Sequence, residues 1–290
     1  MDLVERRFRI PFKVPFRGLT VREGRLFRGP KGWAECSPFP WYAPHETSSW
    51  ERAAYEAAYE GWPPPLRTTV PVNVTVPDCD AATAFDIVKS SGCTTAKVKV
   101  GSGDDLGRVE AVRDALGSRG RLRIDVNGAW NIESAAELIK TMSRFDLEYV
   151  EQPVESLEDM AALRKLIDVP LAVDEPARSI EGAERAGKLE AADVLIVKVQ
   201  PIGGVRAGLE AVDRAGLPAV VSSAVETSIG LAAGLALAAA LPQLPYACGL
   251  GTMLLLEGDV TSEPLIPENG VLSVRRPSVD EAALARYEVR

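Results

Sequence analysis

Beyond residue 70, short apolar segments alternate with segments of helical periodicity. Runs of apolar, often β-branched residues predict strands at 70–76, 96–100, 122–127, 147–152, 171–174, 194–199, 219–222 and 246–249. Apolar residues spaced three or four apart predict helices at 80–90, 104–116, 133–144, 156–167, 180–188, 203–214 and 228–240. Strands that are apolar on both faces and alternate with helices are typical of a buried parallel sheet. The pattern therefore predicts the α/β class.

The two ends of the chain follow a different pattern. Residues 1–45 indicate β-hairpins, with Val21–Arg25 as a turn, and residues 46–60 have helical spacing. Gly61–Pro65 then ends the helix, because proline removes a backbone donor and clashes with the preceding turn. This proline cluster is the predicted domain boundary. We expect the tail, 262–290, to form extended segments and a short helix that return to the N-terminal part.

Composition narrows the class of protein. The chain has 290 residues and a formal net charge of −8, with no basic stretch long enough to follow a nucleic-acid backbone. The most apolar long segment, Ile229–Leu241, is too short to span a bilayer, and no secretory signal is visible. The four cysteines form no CxxC pair, which favours reduced thiols over a zinc site or disulfides. We expect a cytoplasmic enzyme that binds neither nucleic acid nor membrane.

Polar residues recur near the ends of the predicted strands. The intervals between them are 23 to 26 residues, about one strand, one helix and two loops. The residues are Lys99, Asp125, Glu151, Asp174, Lys198 and Ser222. One polar group per βα unit at the strand ends describes the mouth of a parallel barrel, where such residues are typically catalytic.

Three of these residues are carboxylates from successive strands. Asp125, Glu151 and Asp174 would repel one another strongly unless their pKa values rise or they share a cation. Oxygen ligands of this kind suit Mg²⁺. The single histidine, His45, lies far away in a loop, so a zinc or iron site is disfavoured and no chemistry is expected of it. The structural alternative is that each acid pairs with a basic residue on the barrel rim.

The lysines predict the reaction type. Lys97 and Lys99 project to the same face of their strand, and Lys198 lies about four strands further on. A desolvated lysine near cations has a lowered pKa and can act as a base near neutral pH. Beside a metal-bound carboxylate, such a base would remove the proton α to that carboxylate. For Lys198 the alternative is an ion pair with Asp193 or Glu190.

These residues resemble the motifs of a known family. Lys97-Val-Lys99, Asp125-Val-Asn127, Glu151, Asp174-Glu175 and Lys198 are similar to the KxK, DxN, E, DE and K motifs of the enolase superfamily, in its muconate-lactonizing-enzyme-like subgroup. The resemblance implies a (β/α)₇β modified TIM barrel over residues 66–261. It also implies an α+β capping domain made of residues 1–65 and 262–290.

The same resemblance implies a role for each residue. Asp125, Glu151 and Asp174 would bind one Mg²⁺, Lys99 would be the catalytic acid and base, and Lys198 would stabilise an enediolate intermediate from the opposite face. The residues implied to support these groups are Lys97, Asn127 and Glu175.

Three details are similar to the o-succinylbenzoate synthase family: the stretch after Ser222, the loop Gly249–Thr252 and the short chain. The implied reaction is a Mg²⁺-dependent syn elimination of water from 2-succinyl-6-hydroxy-2,4-cyclohexadiene-1-carboxylate, in menaquinone synthesis. Ser222 or Ser223 would bind the substrate, or instead cap the next helix. Gly249 and Gly251 would admit a ligand close to the backbone, or serve only a tight turn. The loop 16–20 would be a lid or a plain hairpin turn.

Other functions stay open at this point. An N-succinylamino acid racemase would use the same two lysines as two bases, whereas a dipeptide epimerase is disfavoured because no DxD-like pair occurs near residue 249. A barrel with an inactive site is the alternative from a different class, and the intact lysine and acid positions argue against it. The oligomeric state is open, a monomer being one alternative.

Overall fold

The computed structural model describes residues 4–43 and 46–289, so His45 lies outside the described residues. The strands are Val4–Phe16 (β1), Leu19–Gly29 (β2), Gly32–Cys36 (β3), Thr69–Pro71 (β4), Val74–Val76 (β5), Thr95–Lys99 (β6), Arg121–Asp125 (β7), Leu147–Glu151 (β8), Leu171–Val173 (β9), Val194–Lys198 (β10), Ala219–Ser222 (β11), Val271–Ser273 (β12) and Glu288–Val289 (β13). The α-helices are Ser48–Tyr55 (α1), Ala81–Ser91 (α2), Asp105–Leu116 (α3), Ile132–Met142 (α4), Leu157–Leu163 (α5), Ile180–Lys188 (α6), Val199–Ile202 (α7), Val205–Ala215 (α8), Ser228–Ala240 (α9) and Glu281–Leu284 (α10).

Seven parallel strands form the main sheet. Strands β5 to β11 lie side by side in chain order, and each is followed by a helix or turn that leads to the next. Isolated parallel bridges join Val72 to Cys248 and Ser222 to Gly249, so the segment near residue 248 connects the two edges of the sheet. The predicted α/β barrel is therefore confirmed, although its eighth strand is reduced to these bridges.

The prediction of one strand over 70–76 is wrong in detail. The segment divides into β4, which pairs with β12 of the tail, and β5, which begins the barrel. Between them the Val72 N–H donates to the carbonyl of Gly270, so the chain changes sheets at this point. The apolar positions do not record such a change, because Val70 and Val72 before it and Val74 and Val76 after it are all buried.

A second, antiparallel sheet has the order β13-β1-β2-β3. Its first hairpin turns at Arg17 and Gly18, both with positive φ, which suits the right-handed twist of the strands. The predicted turn at Val21–Arg25 is wrong: Gly24 lies within β2, where a Cβ atom would come within 2.6 Å of the Phe8 ring. The glycine there admits a neighbouring side chain instead of turning the chain.

The tail joins the N-terminal part of the molecule. Strand β13 pairs with β1 at Arg7 and Phe8, and Arg276 donates to the carbonyls of Trp33 and Ala57. The antiparallel sheet is therefore built from both ends of the chain, while the precise bounds 1–65, 66–261 and 262–290 stay a prediction.

Helix α9 is buried along nearly its whole length. It packs against β3, β11 and α8, so it lies between the antiparallel sheet and the barrel. Of the helices in residues 4–43 and 46–289, none has the length and apolar character needed to cross a membrane. The apolar run at 229–241 is explained by its buried position between two layers.

Candidate active site

The parallel register brings the recurring polar residues to one end of the barrel. Lys99 lies beside Asp125 on the next strand, and Asp125 lies beside Glu151 on the strand after that. On the other side, Lys198 at the end of β10 lies beside Ser222 at the end of β11. The carboxyl ends of neighbouring strands in a parallel barrel share one face, which is why a constant interval in sequence becomes proximity in space.

Lys97 is held by two carboxylates. Its Nζ donates to Asp125 Oδ2 at 3.0 Å and to Glu151 Oε1 at 2.8 Å, and the three side chains are almost fully buried. Burial alone would lower the pKa of Lys97, but the charges of Asp125 and Glu151 outweigh it and raise that pKa well above its usual value. The two carboxylates therefore favour the ammonium form of Lys97.

Lys99 lies next to it in a different electrostatic environment. Its Nζ donates to Asp125 Oδ2 and to Asn127 Oδ1, both at 2.6 Å, and lies 5.6 Å from the centre of the Phe16 ring. Burial lowers the pKa of Lys99, and the positive charge of Lys97 lowers it further against the opposing effect of Asp125. The pKa values of two lysines on one strand are thus shifted in opposite directions.

Asp174, at the end of the next strand after Glu151, has two strong basic partners. Lys198 Nζ donates to Asp174 Oδ2 at 2.6 Å, and Arg178 Nη2 donates to the same oxygen at 3.0 Å. These two cations outweigh the effect of burial and lower the pKa of Asp174. The ion pair with Asp193 or Glu190 suggested for Lys198 is not found among the described residues: Lys198 pairs with Asp174, and Asp193 pairs with Arg164.

Arg178 is a residue of the site that sequence reasoning missed. Besides Asp174 it contacts Glu175 at 3.0 Å and donates to the hydroxyl of Tyr42, a residue of the N-terminal part. Glu175 also accepts a hydrogen bond from Asn127 Nδ2 at 3.2 Å, so it links Arg178 to the partner of Lys99. The only signal in the sequence was an arginine four residues after Asp174, and such a spacing is too common to indicate a site.

The three predicted metal ligands fit a divalent cation by their chemistry, because all their donors are carboxylate oxygens. As they stand, no three acidic, histidine or cysteine side chains within residues 4–43 and 46–289 are arranged as a metal site. In this arrangement Lys97, Lys198 and Arg178 donate hydrogen bonds to these carboxylates. Burial and the negative charges of Asp125 and Asp174 raise the pKa of Glu151 to about 7, so additional positive charge would be favourable there.

A pocket lies next to these residues. Its lining includes the three lysines and Arg178 together with a group of apolar and aromatic side chains. The apolar and aromatic lining residues are Phe16, Phe39, Tyr42, Trp50, Pro201, Ala224 and Val225. The aromatic lining residues, Phe16 among them, come from the N-terminal part of the chain, whereas the lysines come from the barrel. Both parts of the chain therefore complete the pocket. No periodic pattern in the sequence indicates this lining.

The predicted substrate-binding residues occupy different positions. Ser222, Ser223 and Gly249 line the pocket, whereas Gly251 packs against the backbone of Asn73 and is not part of the lining. The alternative that a serine caps the next helix is wrong, because Thr227 caps α9 with its own hydroxyl. Gly249 allows close packing: a Cβ there would lie 2.4 Å from the Ser222 hydroxyl.

The loop 16–20 forms a two-residue hairpin turn, with Phe16 paired to Leu19. Phe16 and Arg17 reach the pocket, and Arg17 lies 3.6 Å from Glu175. The hairpin is confirmed, and whether it acts as a lid stays a prediction.

Comparison with known proteins agrees with this architecture. Residues 80–278 match the family "Enolase C-terminal domain-like" and residues 8–58 match "Enolase N-terminal domain-like". The muconate lactonizing enzyme of Pseudomonas fluorescens superposes with a TM-score of 0.88 over 99% of this chain and 98% of that chain, at 21% identity. The N-succinyl Arg/Lys racemase of Bacillus cereus superposes with a TM-score of 0.81 at 20% identity, over the whole of both chains. Similarities at this level of identity concern the fold.

Curated relatives are more specific. The o-succinylbenzoate synthase of Thermobifida fusca is 57% identical over 98% of this chain and 91% of that protein. The o-succinylbenzoate synthase of Mycolicibacterium smegmatis is 42% identical over 98% of this chain and 90% of that protein. Together with the barrel, its lysines and its carboxylates, these similarities show that the chain belongs to the enolase superfamily and, within it, to the o-succinylbenzoate synthase family.

Proposed function

We propose that this chain dehydrates 2-succinyl-6-hydroxy-2,4-cyclohexadiene-1-carboxylate to o-succinylbenzoate, a step of menaquinone synthesis, with the help of Mg²⁺. The observation that carries the proposal is that Lys99 and Lys198 come from β6 and β10, line the same pocket, and contact the outer carboxylates Asp125 and Asp174. A reacting carbon in this pocket would therefore have an amine on either side and acidic ligands between them.

Asp125, Glu151 and Asp174 would hold the divalent cation. Their all-oxygen donor set favours Mg²⁺ over metals that prefer nitrogen or sulfur. When bound, the cation supplies positive charge next to the substrate carboxylate, which makes the proton on the adjacent carbon more acidic.

Lys99 is the proposed base. Its amine takes the proton from the carbon that bears the carboxylate, and the C–H electrons are delocalised onto that carboxylate as an enediolate before they form the new double bond of the ring. The C–O bond to the hydroxyl group breaks, and Lys99 returns its proton to the departing oxygen, so water leaves and the lysine is restored. Aromatisation of the ring favours this elimination, so one acid–base residue is sufficient.

Lys198 faces this reaction from β10. Its ammonium group would stabilise the negative charge that develops on the substrate carboxylate as the proton leaves. Lys97 would hold Asp125, Asn127 would hold the amine of Lys99, and Glu175 would fix Asn127.

The succinyl chain would lie along the pocket side that carries Ser222 and Ser223, with Gly249 admitting it close to the backbone. Residues 1–65 and 262–290 would form the cap over the barrel of residues 66–261, and Arg17–Thr20 would be a mobile part of it. The four free cysteines support a reducing, cytoplasmic location.

The test is turnover of the cyclohexadiene carboxylate by purified protein, with Mg²⁺ and again with a chelator. We expect metal-dependent formation of o-succinylbenzoate. Racemisation of N-succinylamino acids is measured in parallel. If racemisation occurs without any dehydration, the proposed substrate is wrong and an N-succinylamino acid takes its place.

A further inference from the structure

A buried arginine connects the antiparallel sheet to the loop that carries the pocket serines. Arg22 of β2 is 1% exposed, and its Nε donates to the carbonyl of Val225 at 2.9 Å. Its Nη2 donates to the carbonyls of Ala224, at 3.2 Å, and of Ser37. The guanidinium also stacks on Phe39, with 4.5 Å to the ring centre. Burying an arginine this deeply costs desolvation free energy, which its carbonyl partners offset. The buried position of Arg22 therefore calls for an explanation.

The loop that Arg22 holds has an unfavourable backbone conformation. Val225 has a φ of +58°, a left-handed conformation that is a genuine outlier for a β-branched side chain. Such conformations persist where the surroundings enforce them, and they cluster at functional sites. The Val225 N–H donates to Ser223 Oγ at 3.1 Å, so the same turn fixes a hydroxyl that lines the pocket.

A second residue of the same sheet holds the far end of the loop. Glu35 of β3 accepts hydrogen bonds from the backbone N–H groups of Thr227, at 3.1 Å, and Gly230, at 3.2 Å, at the start of α9. The loop between β11 and α9 is therefore anchored at both ends by the antiparallel sheet. Its position depends on a part of the chain that contributes none of the lysines or carboxylates.

We infer that Arg22 is a positioning residue that enforces the left-handed turn at Val225 and thereby places Ser223 for substrate binding. The inference rests on the proposed function, because it takes the pocket serines as substrate contacts. It is independent of the metal ligands, since Arg22 touches none of them. The consequence is that the antiparallel sheet sets the affinity for substrate without touching the reacting atoms.

The test uses Arg22→Met and Arg22→Lys, the second keeping the charge but losing the planar set of donors. Arg276→Met is the matched control, because Arg276 also donates to two backbone carbonyls and stacks on an aromatic ring, that of Trp62. We expect Arg22→Met to raise KM about tenfold or more with a smaller loss of kcat, because displaced binding groups act on substrate binding first. We expect the Mg²⁺-induced shift in Tm to be retained, and Arg276→Met to leave KM near the wild-type value.

A double-mutant cycle with Val225→Gly tests the strain directly. Glycine adopts the left-handed conformation without being held. The rise in KM caused by Arg22→Met should therefore be several-fold smaller when residue 225 is glycine. An equal rise in both backgrounds, or no rise in KM, would overturn the inference.

Amide hydrogen exchange gives a readout that needs no substrate. We expect exchange of residues 222–227 to be about tenfold faster in Arg22→Met than in Arg276→Met, because the loop opens locally. Equal exchange in a folded Arg22 variant would reject the positioning role. If the wild type fails to dehydrate the substrate while this exchange difference is present, the proposed function is wrong and the positioning of the loop stands.

Discussion

The buried carboxyl of Glu35 predicts a measurable dependence of stability on pH. Burial raises the pKa of Glu35 from 4.5 to about 7, and the negative charge of Glu226 adds to this, against the opposing effects of Ser37, Thr227 and Arg22. The folded protein therefore holds a proton at pH values where the unfolded chain has already lost it.

The sign of the effect follows from this raised pKa. The stabilisation is fully present below pH 4.5 and is lost as the pH rises through about 7, so stability falls over that window. The difference between 4.5 and about 7, at 1.36 kcal/mol for each pH unit, corresponds to about 3 kcal/mol of unfolding free energy.

The assay is urea denaturation of wild type and Glu35→Gln between pH 5 and pH 8 at constant ionic strength. Glutamine mimics the protonated acid, so the variant should show a smaller loss of stability with rising pH. Glu23→Gln on β2 is the matched control, because Glu23 is largely exposed, and it should keep the wild-type slope. The raised pKa values of Glu226 and Glu151 also make the stability fall as the pH rises. Both groups are present in the wild type and in the two variants, so the comparison isolates the contribution of Glu35. Identical slopes in wild type and Glu35→Gln would refute this account of the buried carboxyl.

Three further predictions concern the metal and the lysine of β10. Asp174→Asn should abolish the rise in Tm on adding Mg²⁺, whereas Asp193→Asn, at the other end of the barrel, should retain it. Arg178→Gln should lower Tm without metal but tighten Mg²⁺ binding in calorimetry, because the guanidinium no longer occupies Asp174; weaker binding would contradict that competition. Lys198→Ala should reduce kcat by roughly 10²–10³, as removal of one stabilising donor does, and an unchanged kcat would exclude its role.

Some of this architecture could be predicted because it leaves a periodic trace in the sequence. The interval of 23 to 26 residues between Lys99, Asp125, Glu151 and their successors reflects the length of one βα unit, which the barrel repeats. The side-chain alternation of a strand likewise placed Lys97 and Lys99 on one face. Local rules of this kind are visible in a single sequence.

Other parts of the site depend on contacts between distant segments. Arg22 reaches Val225 across 203 positions and Arg178 reaches Tyr42 across 136, and no spacing rule connects such pairs. The wrong turn at Val21–Arg25 has the same origin, since Gly24 is required by the ring of Phe8 on a neighbouring strand. Sequence patterns therefore predicted the reactive groups, and tertiary packing determined what holds them in place.

The most direct test of the central claim is the rate at which Lys99→Ala forms o-succinylbenzoate at saturating Mg²⁺. We expect a folded variant that keeps its Mg²⁺-induced rise in Tm but shows no dehydration above background. Its side chain is partly exposed to the pocket, so the substitution removes the amine without opening the core. Turnover of Lys99→Ala at the wild-type rate would show that this lysine is not the base and would contradict the proposed mechanism.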